Sequence, residues 1–345
     1  SFNVVDCIPA TANKWLMTDV LRGEWGFDGM LVTDYESIKE IIKHGTAEDL
    51  ADASAQALNA GTDMDMCSKG YIGTLEQSVL DGRVSAEAVD RACRRVLEAK
   101  YRLGLFDNPY KYCDPKRRKK DIFTAENRAA ARDIAAETFV LLKNDNGTLP
   151  LKKEGRIALI GPLADTRSNM AGTWCVAYTP ERYSTLRESM AQALGGKAEL
   201  LYAQGCNITA DERQQKDGEI GKSIKRGDDA LMKAEALAVA RQADVIVCAM
   251  GETAEMTGES SSRAKLAMPD VQAALLAELV KTGKPVVLRN FSGRPTVLTW
   301  EQDNVQAIMN VWFGGSEAAH AICDVLFGDK TPCGRLTVSM PRATG

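Results

Sequence analysis

The sequence predicts an α/β protein in two parts, and three observations carry that expectation. Short apolar runs alternate with longer stretches of helical spacing, the pattern of strands covered by helices. One run, Met30-Leu31-Val32, leads into a carboxylate at Asp34, and strand ends of this kind carry functional groups in barrel folds. A polar stretch over 106–130 then separates a first alternation from a second.

The first part covers residues 1–105. Asn13 to Trp25 places Trp15, Leu16, Val20 and Leu21 at helical spacing, and Gly26 ends it. The strand before Asp34 follows. Asp49 to Ala60 is an alanine-rich helix stopped by Gly61, and Thr62-Asp63-Met64-Asp65-Met66 is a second short strand with acidic residues at its end. Ile72 to Leu80 and Ala86 to Leu103 are helices, the latter with Ser85 as N-cap and Gly104 just past its end.

The 106–130 linker opens with Phe106-Asp107-Asn108-Pro109-Tyr110 and holds the basic run Lys116-Arg117-Arg118-Lys119-Lys120, read as a solvated segment rather than a targeting patch. The second part, 131–345, contains strand-like runs at 140–142, 157–160, 200–202, 245–248, 286–288 and 307–309. Helical stretches such as Ala230 to Ala240, Val271 to Lys281 and Ala318 to Phe327 fall between several of them. Such alternation implies a mostly parallel sheet covered on both faces, an α/β sandwich.

Composition narrows the function classes. The 345 residues are 45% hydrophobic and 26% charged with net charge −4, which suits a globular protein of about two domains and offers no nucleic-acid surface. No apolar run reaches the length of a membrane span. Nine cysteines include no CxxC pair, so neither a disulfide framework nor a zinc site is expected. The two histidines, His44 and His320, supply few parts for a His-based triad or metal centre. Ile160-Gly161-Pro162 lacks the spacing of a nucleotide-binding loop, and Pro162 has no N–H to offer a phosphate. No metal or organic cofactor is expected.

By spacing alone, Asp34 is either a helix cap, a role Ser37 could also fill, or a catalytic carboxylate. The segment Gly26-Phe27-Asp28-Gly29-Met30-Leu31-Val32-Thr33-Asp34-Tyr35 resembles the nucleophile strand of glycoside hydrolase family 3. The resemblance extends over nearly the whole chain, including Leu141-Leu142-Lys143-Asn144, Gly283 to Pro295, and Leu326-Phe327-Gly328-Asp329 followed by Pro332-Cys333-Gly334-Arg335-Leu336. It implies that residues 1–105 are the C-terminal part of a (β/α)8 TIM-like barrel. The rest of that barrel is then an expected partner, lying before Ser1 in an N-terminal segment.

The same resemblance assigns roles. Asp34 matches the nucleophile. Gly258-Glu259-Ser260-Ser261-Ser262-Arg263 matches the family's acid/base pattern, with serines where many members carry Tyr-Asp. Glu259 is therefore the expected proton donor and Glu252 the runner-up, on a loop that also holds Glu255 and would otherwise read as a solvated acidic segment. Tyr35 and Trp174 are expected to stack on sugar rings or else to be ordinary core aromatics. Asp65 and Met66 match the end of the family's last barrel strand and are expected to line the substrate site, with packing the favoured alternative for Met66. The implied activity is that of a retaining exo-β-glycosidase, most simply a β-glucosidase acting on β-linked oligosaccharides or glycosides, through a covalent glycosyl-enzyme. Alternatives are a β-xylosidase and a non-catalytic carbohydrate-binding or scaffold protein. A periplasmic location is expected, with the cytoplasm left open by the nine thiols. A homodimer is carried as an assembly state.

Overall fold

The computed structural model describes residues 2–175, 179–216, 224–259 and 261–345, so Ser1 and Ser260 of the quoted motifs lie outside it. The chain divides into two compact units, Ser1–Arg118 and Lys119–Gly345, and the division falls inside the expected linker.

Unit 1 begins with a two-residue hairpin, β1 (Val4–Val5) against β2 (Ile8–Pro9). Helices α1 (Ser37–Lys43), α2 (Leu50–Ala60), α3 (Gly70–Leu80) and α4 (Ala86–Arg102) follow. Ser85 caps α4 by accepting the Ala88 N–H, and Asp49 caps α2 by accepting the Asp52 N–H. The expected helix over 13–25 is a wider coil, a π-helix at Trp15–Glu24, in which the Trp25 N–H reaches back five residues to the Val20 carbonyl.

The two expected strands run side by side. Val32 and Met64 form a parallel bridge, the Met64 and Asp63 amides bond the Leu31 carbonyl, and the Thr33 amide bonds the Met64 carbonyl at 3.0 Å. Asp63 fixes this pairing from beneath. Its buried carboxylate takes Arg22 at 2.6 Å, Arg95 at 2.8 Å and the Leu31 N–H at 2.9 Å. Arg22 comes from the π-helix and Arg95 from α4, so one side chain ties three elements to the tip that carries Asp34.

Unit 2 is a six-stranded sheet in the order β3-β8-β7-β6-β4-β5. The strands are β3 (Val140–Asn144), β4 (Arg156–Ile160), β5 (Glu199–Ala203), β6 (Val245–Gly251), β7 (Val286–Phe291) and β8 (Ala307–Asn310). All pairings are parallel except the edge pair β3–β8. Alternate side chains feed two cores. Ile157, Leu159, Val247 and Val287 face one, and Ala158, Ile160, Ile246 and Leu288 face the other. Helices Leu186–Leu194 and Ala318–Leu326 contribute to the first, Asp229–Gln242 and Asp270–Val280 to the second. Helix Ala125–Thr138, which begins inside the expected linker, is fastened to the first by Arg128–Glu317 at 2.7 Å and by a two-pronged Arg132–Asp324 pair.

The strand order matters for function. From β4 the chain moves outward to β5, then returns to β6 on the other side and continues to β7 and β8. The carboxyl ends of β4 and β6 therefore flank the point where the winding reverses, where open α/β sheets bind ligands.

One core residue breaks the pattern. Arg289 is fully buried on β7, and none of its three guanidinium nitrogens has a hydrogen-bond partner among the described residues. It lies between Ala249 and Met309 on the neighbouring strands, and burial pushes its pKa down to about 9. Because the folded value is lowered, the unfolded chain binds more protons above about pH 9. Stability should therefore rise as pH climbs from there, with the full cost present at neutral pH. Arg289→Leu should raise stability at pH 7 by about 1–4 kcal/mol and remove that alkaline rise, as read from urea unfolding at pH 7 and 10. An unchanged or lower unfolding midpoint at pH 7 contradicts this.

Candidate active site

In unit 1, the strand tip presents Asp34 and Tyr35 to solvent. Asp34 Oδ1 accepts the Tyr35 N–H at 2.7 Å, and its backbone carbonyl takes the Ser37 N–H. The Asp34 side chain does not cap α1, whose N-terminal position is held by Glu36 with left-handed backbone and no side-chain bond. Ser37 does not cap it either. It is buried as the first residue of α1 and accepts the Thr11 hydroxyl at 3.2 Å. Tyr35 is 62% exposed, so it is no core aromatic. Its hydroxyl pairs with the Cys67 thiol, which pushes the phenol pKa up.

Asp65 has a local task. Its two oxygens accept the Ser68 and Gly70 amides at 3.1 and 2.8 Å and so hold the start of α3. Met66 is exposed beside it, its N–H bonded to the Thr33 hydroxyl at 2.9 Å. The tip thus offers a free-standing carboxylate flanked by an aromatic ring and a thioether, above a braced pair of strands.

In unit 2, the candidate residues sit on the two loops at the winding reversal. The loop after β4 carries Trp174, and the loop after β6 carries Glu252, Glu255 and Glu259. Asn169 ties them together by accepting the Ala254 N–H at 2.9 Å. They also touch at Gly258, where a Cβ would lie 2.6 Å from Thr173 Cγ2. A side chain at 258 would push the Trp174 loop away from Glu259. Trp174 is 76% exposed, with its backbone at φ +60°, so it stands outside the core.

The three glutamates of the β6 loop differ sharply. Glu252 is 1% exposed and fully engaged: Arg263 bonds Oε1 at 2.7 Å, the Ser292 hydroxyl reaches Oε2 at 2.8 Å, and Arg294 Nε approaches Oε2 at 3.4 Å. Both oxygens are thus occupied by neighbours inside the fold, and neither faces solvent. Glu255 is the second residue of a single helical turn, Ala254–Thr257, and its carbonyl accepts the Ser261 hydroxyl at 2.7 Å. Glu259 is exposed at the outer turn, where the Ser261 N–H closes back onto the Gly258 carbonyl at 3.1 Å.

Arg263 and Arg294 were not singled out from the sequence. The signal was there in part, since Arg263 closes the Gly-Glu motif and Arg294 follows β7 in Gly293-Arg294-Pro295. Two cations at those places need an anion, and Glu252 is the buried acid nearest in sequence to Arg263. No group of three or more metal-ligating side chains occurs among the described residues.

Stability separates the two acids. Glu252→Ala leaves two guanidinium groups without their carboxylate and should cost about 3–5 kcal/mol. Glu259→Ala at an exposed turn should stay within about 0.5 kcal/mol of the parent. Denaturant midpoints measure both, and equal losses contradict the distinction.

The chain resembles known proteins over its whole length. Residues 1–99 match the glycosyl hydrolase family 3 N terminal domain and residues 139–345 the glycosyl hydrolase family 3 C-terminal domain. A periplasmic beta-glucosidase of Salmonella typhimurium is 43% identical over the whole chain, which covers 46% of that protein. A beta-xylosidase of Formosa agariphila is 32% identical over 98% of the chain and 46% of its own length. Among solved structures, a β-glucosidase from Listeria innocua in complex with isofagomine superposes with a TM-score of 0.88 at 35% identity, covering all of this chain and 45% of that one. The chain thus spans a little under half the length of these relatives. With profile matches to both domains covering most of its residues, the chain belongs to glycosyl hydrolase family 3.

Proposed function

We propose that this chain is the part of a retaining exo-β-glycosidase that supplies both catalytic carboxylates. The observation that carries the reading is the contrast on the β6 loop: Glu252 is locked between cations, whereas Glu259 stands exposed at the winding reversal, as a group that must exchange protons should. Asp34, exposed at its own strand tip, is the nucleophile. The reaction requires the two carboxyl groups about 5–5.5 Å apart.

In the first step an Asp34 oxygen bonds to the anomeric carbon as the glycosidic C–O bond breaks. The Glu259 proton passes to the departing oxygen. In the second step Glu259, now a carboxylate, takes a proton from water, and the water oxygen displaces Asp34 from the anomeric carbon. Two inversions return the original configuration. Tyr35 and Trp174 offer apolar faces for sugar C–H surfaces, with Met66 beside the tip. Asp65, expected to line the site, is held in place by its bonds to the start of α3.

The substrate proposed first is a terminal β-D-glucosyl residue, because the Salmonella and Listeria relatives are named β-glucosidases. A β-xylosyl substrate is the second reading, favoured by the Formosa relative. A periplasmic location follows the name of the Salmonella protein. In the full-length protein, a 2-deoxy-2-fluoro-β-glucoside with a good leaving group should inactivate the enzyme and leave its mass on the peptide containing Asp34. A label on any other carboxylate overturns the nucleophile assignment. Nitrophenyl β-glucoside should exceed nitrophenyl β-xyloside in kcat/KM, and the reverse order selects the second reading.

A further inference from the structure

Beyond the two carboxylates, and resting on the reading of Glu259 as acid/base, we propose that Arg294 is the positioning residue that sets the catalytic placement of Glu259. Arg294 lies on the segment after β7, outside the β6 loop, yet it spans that loop. Its Nη2 donates to the Met256 carbonyl at 2.5 Å and to the Ser261 carbonyl at 2.8 Å, so the two bonds bracket Glu259 from either side. Its Nε faces Glu252 at 3.4 Å, and its own backbone N–H bonds the Ser292 hydroxyl at 3.1 Å.

The neck of the same loop is closed by Glu252 and Arg263 at 2.7 Å, while Arg263 also donates to the Ala267 carbonyl. Tying the two ends leaves a short closed loop, and Arg294 removes much of its remaining freedom across the middle. The preceding residue makes room for this. A Cβ on Gly293 would sit 2.3 Å from Thr257 Oγ1, so the Arg294 segment and the loop are in direct contact. A general acid displaced by an ångström loses much of its effect on proton transfer while substrate binding is little altered.

The test uses Arg294→Lys and Arg294→Gln in the full-length enzyme, with folding checked by thermal melting. Two β-glucosides are compared: a dinitrophenyl one, whose leaving group needs no proton, and an alkyl one, which needs Glu259 as acid. Both variants should lose kcat/KM by roughly 10- to 100-fold on the alkyl glucoside and by less than about 3-fold on the dinitrophenyl one. Adding Arg294→Lys to Glu259→Ala should cost nothing further on the alkyl substrate, since the two act as one unit. Equal losses on both substrates, no loss on either, or additive losses in the double variant overturn the proposal. Glu259→Ala alone is the control. If it lacks the leaving-group signature, the acid/base reading is at fault; if it shows that signature and the Arg294 variants do not, only the positioning role fails.

Discussion

Everything distinctive about unit 2 depends on keeping one charge in a place where charge is expensive. The Glu252 carboxylate sits at the end of β6 with almost no solvent, and a carboxylate there persists only if its neighbours replace the water it has lost. Arg263 and Arg294 do so from two directions, one from the far end of the same loop and one from the next strand's exit. The ion pairs are weak grounds for net stability, because removing three charged groups from solvent offsets much of their attraction. What they do is local: Arg263 ties the far end of the loop to its start, Arg294 adds a second cation from the segment after β7, and the loop lies against Thr173 of the neighbouring loop.

Unit 1 solves a similar problem by a similar device. Asp63 is the buried acid, and Arg22, Arg95 and the Leu31 amide surround it. The result is a braced strand pair whose tip leaves Asp34 without an ion pair among the described residues. In both units the carboxylate that could do chemistry is exposed, and a second carboxylate a few residues away in the fold holds the frame. The acids near a site are thus sorted by their partners: those matched to guanidinium groups or helix amides are structural, and those left to solvent are available for bond-making.

Much of this was legible in the sequence, for reasons that can be named. The inner strands of the second sheet are largely apolar runs buried on both faces, and such runs stand out against amphipathic helices. The run at 245–248 grew only to Val245–Gly251 in the fold. Ser85 and Gly104 marked the ends of α4 because capping is a local interaction. The π-helical widening at Trp15–Glu24 was not visible, since two or three turns of apolar spacing do not separate 3.6 residues per turn from a wider coil. The first residues of helix Ala125–Thr138, up to 130, fell in the expected linker, and no helix was expected over the rest. It is held by Arg128 and Arg132 to acids nearly two hundred residues away, a partnership with no local signature. The same limit hid the loop clamp. The family resemblance named Glu259, but only the strand order brings Arg294 to its loop. Asp65, expected at the site from the resemblance, also accepts the Ser68 and Gly70 amides at the start of α3, a local role its sequence position did not show.

The division of labour between Glu252 and Glu259 is tested most directly by adding azide to variants of the full-length enzyme with a dinitrophenyl β-glucoside. In Glu259→Ala the glycosyl-enzyme should accumulate for want of a base, and azide, a nucleophile that needs none, should restore turnover and release β-glucosyl azide. Glu252→Gln should show no such rescue. Rescue of Glu252→Gln without rescue of Glu259→Ala contradicts the account, because the carboxylate held between two arginines would then be the one that moves the proton.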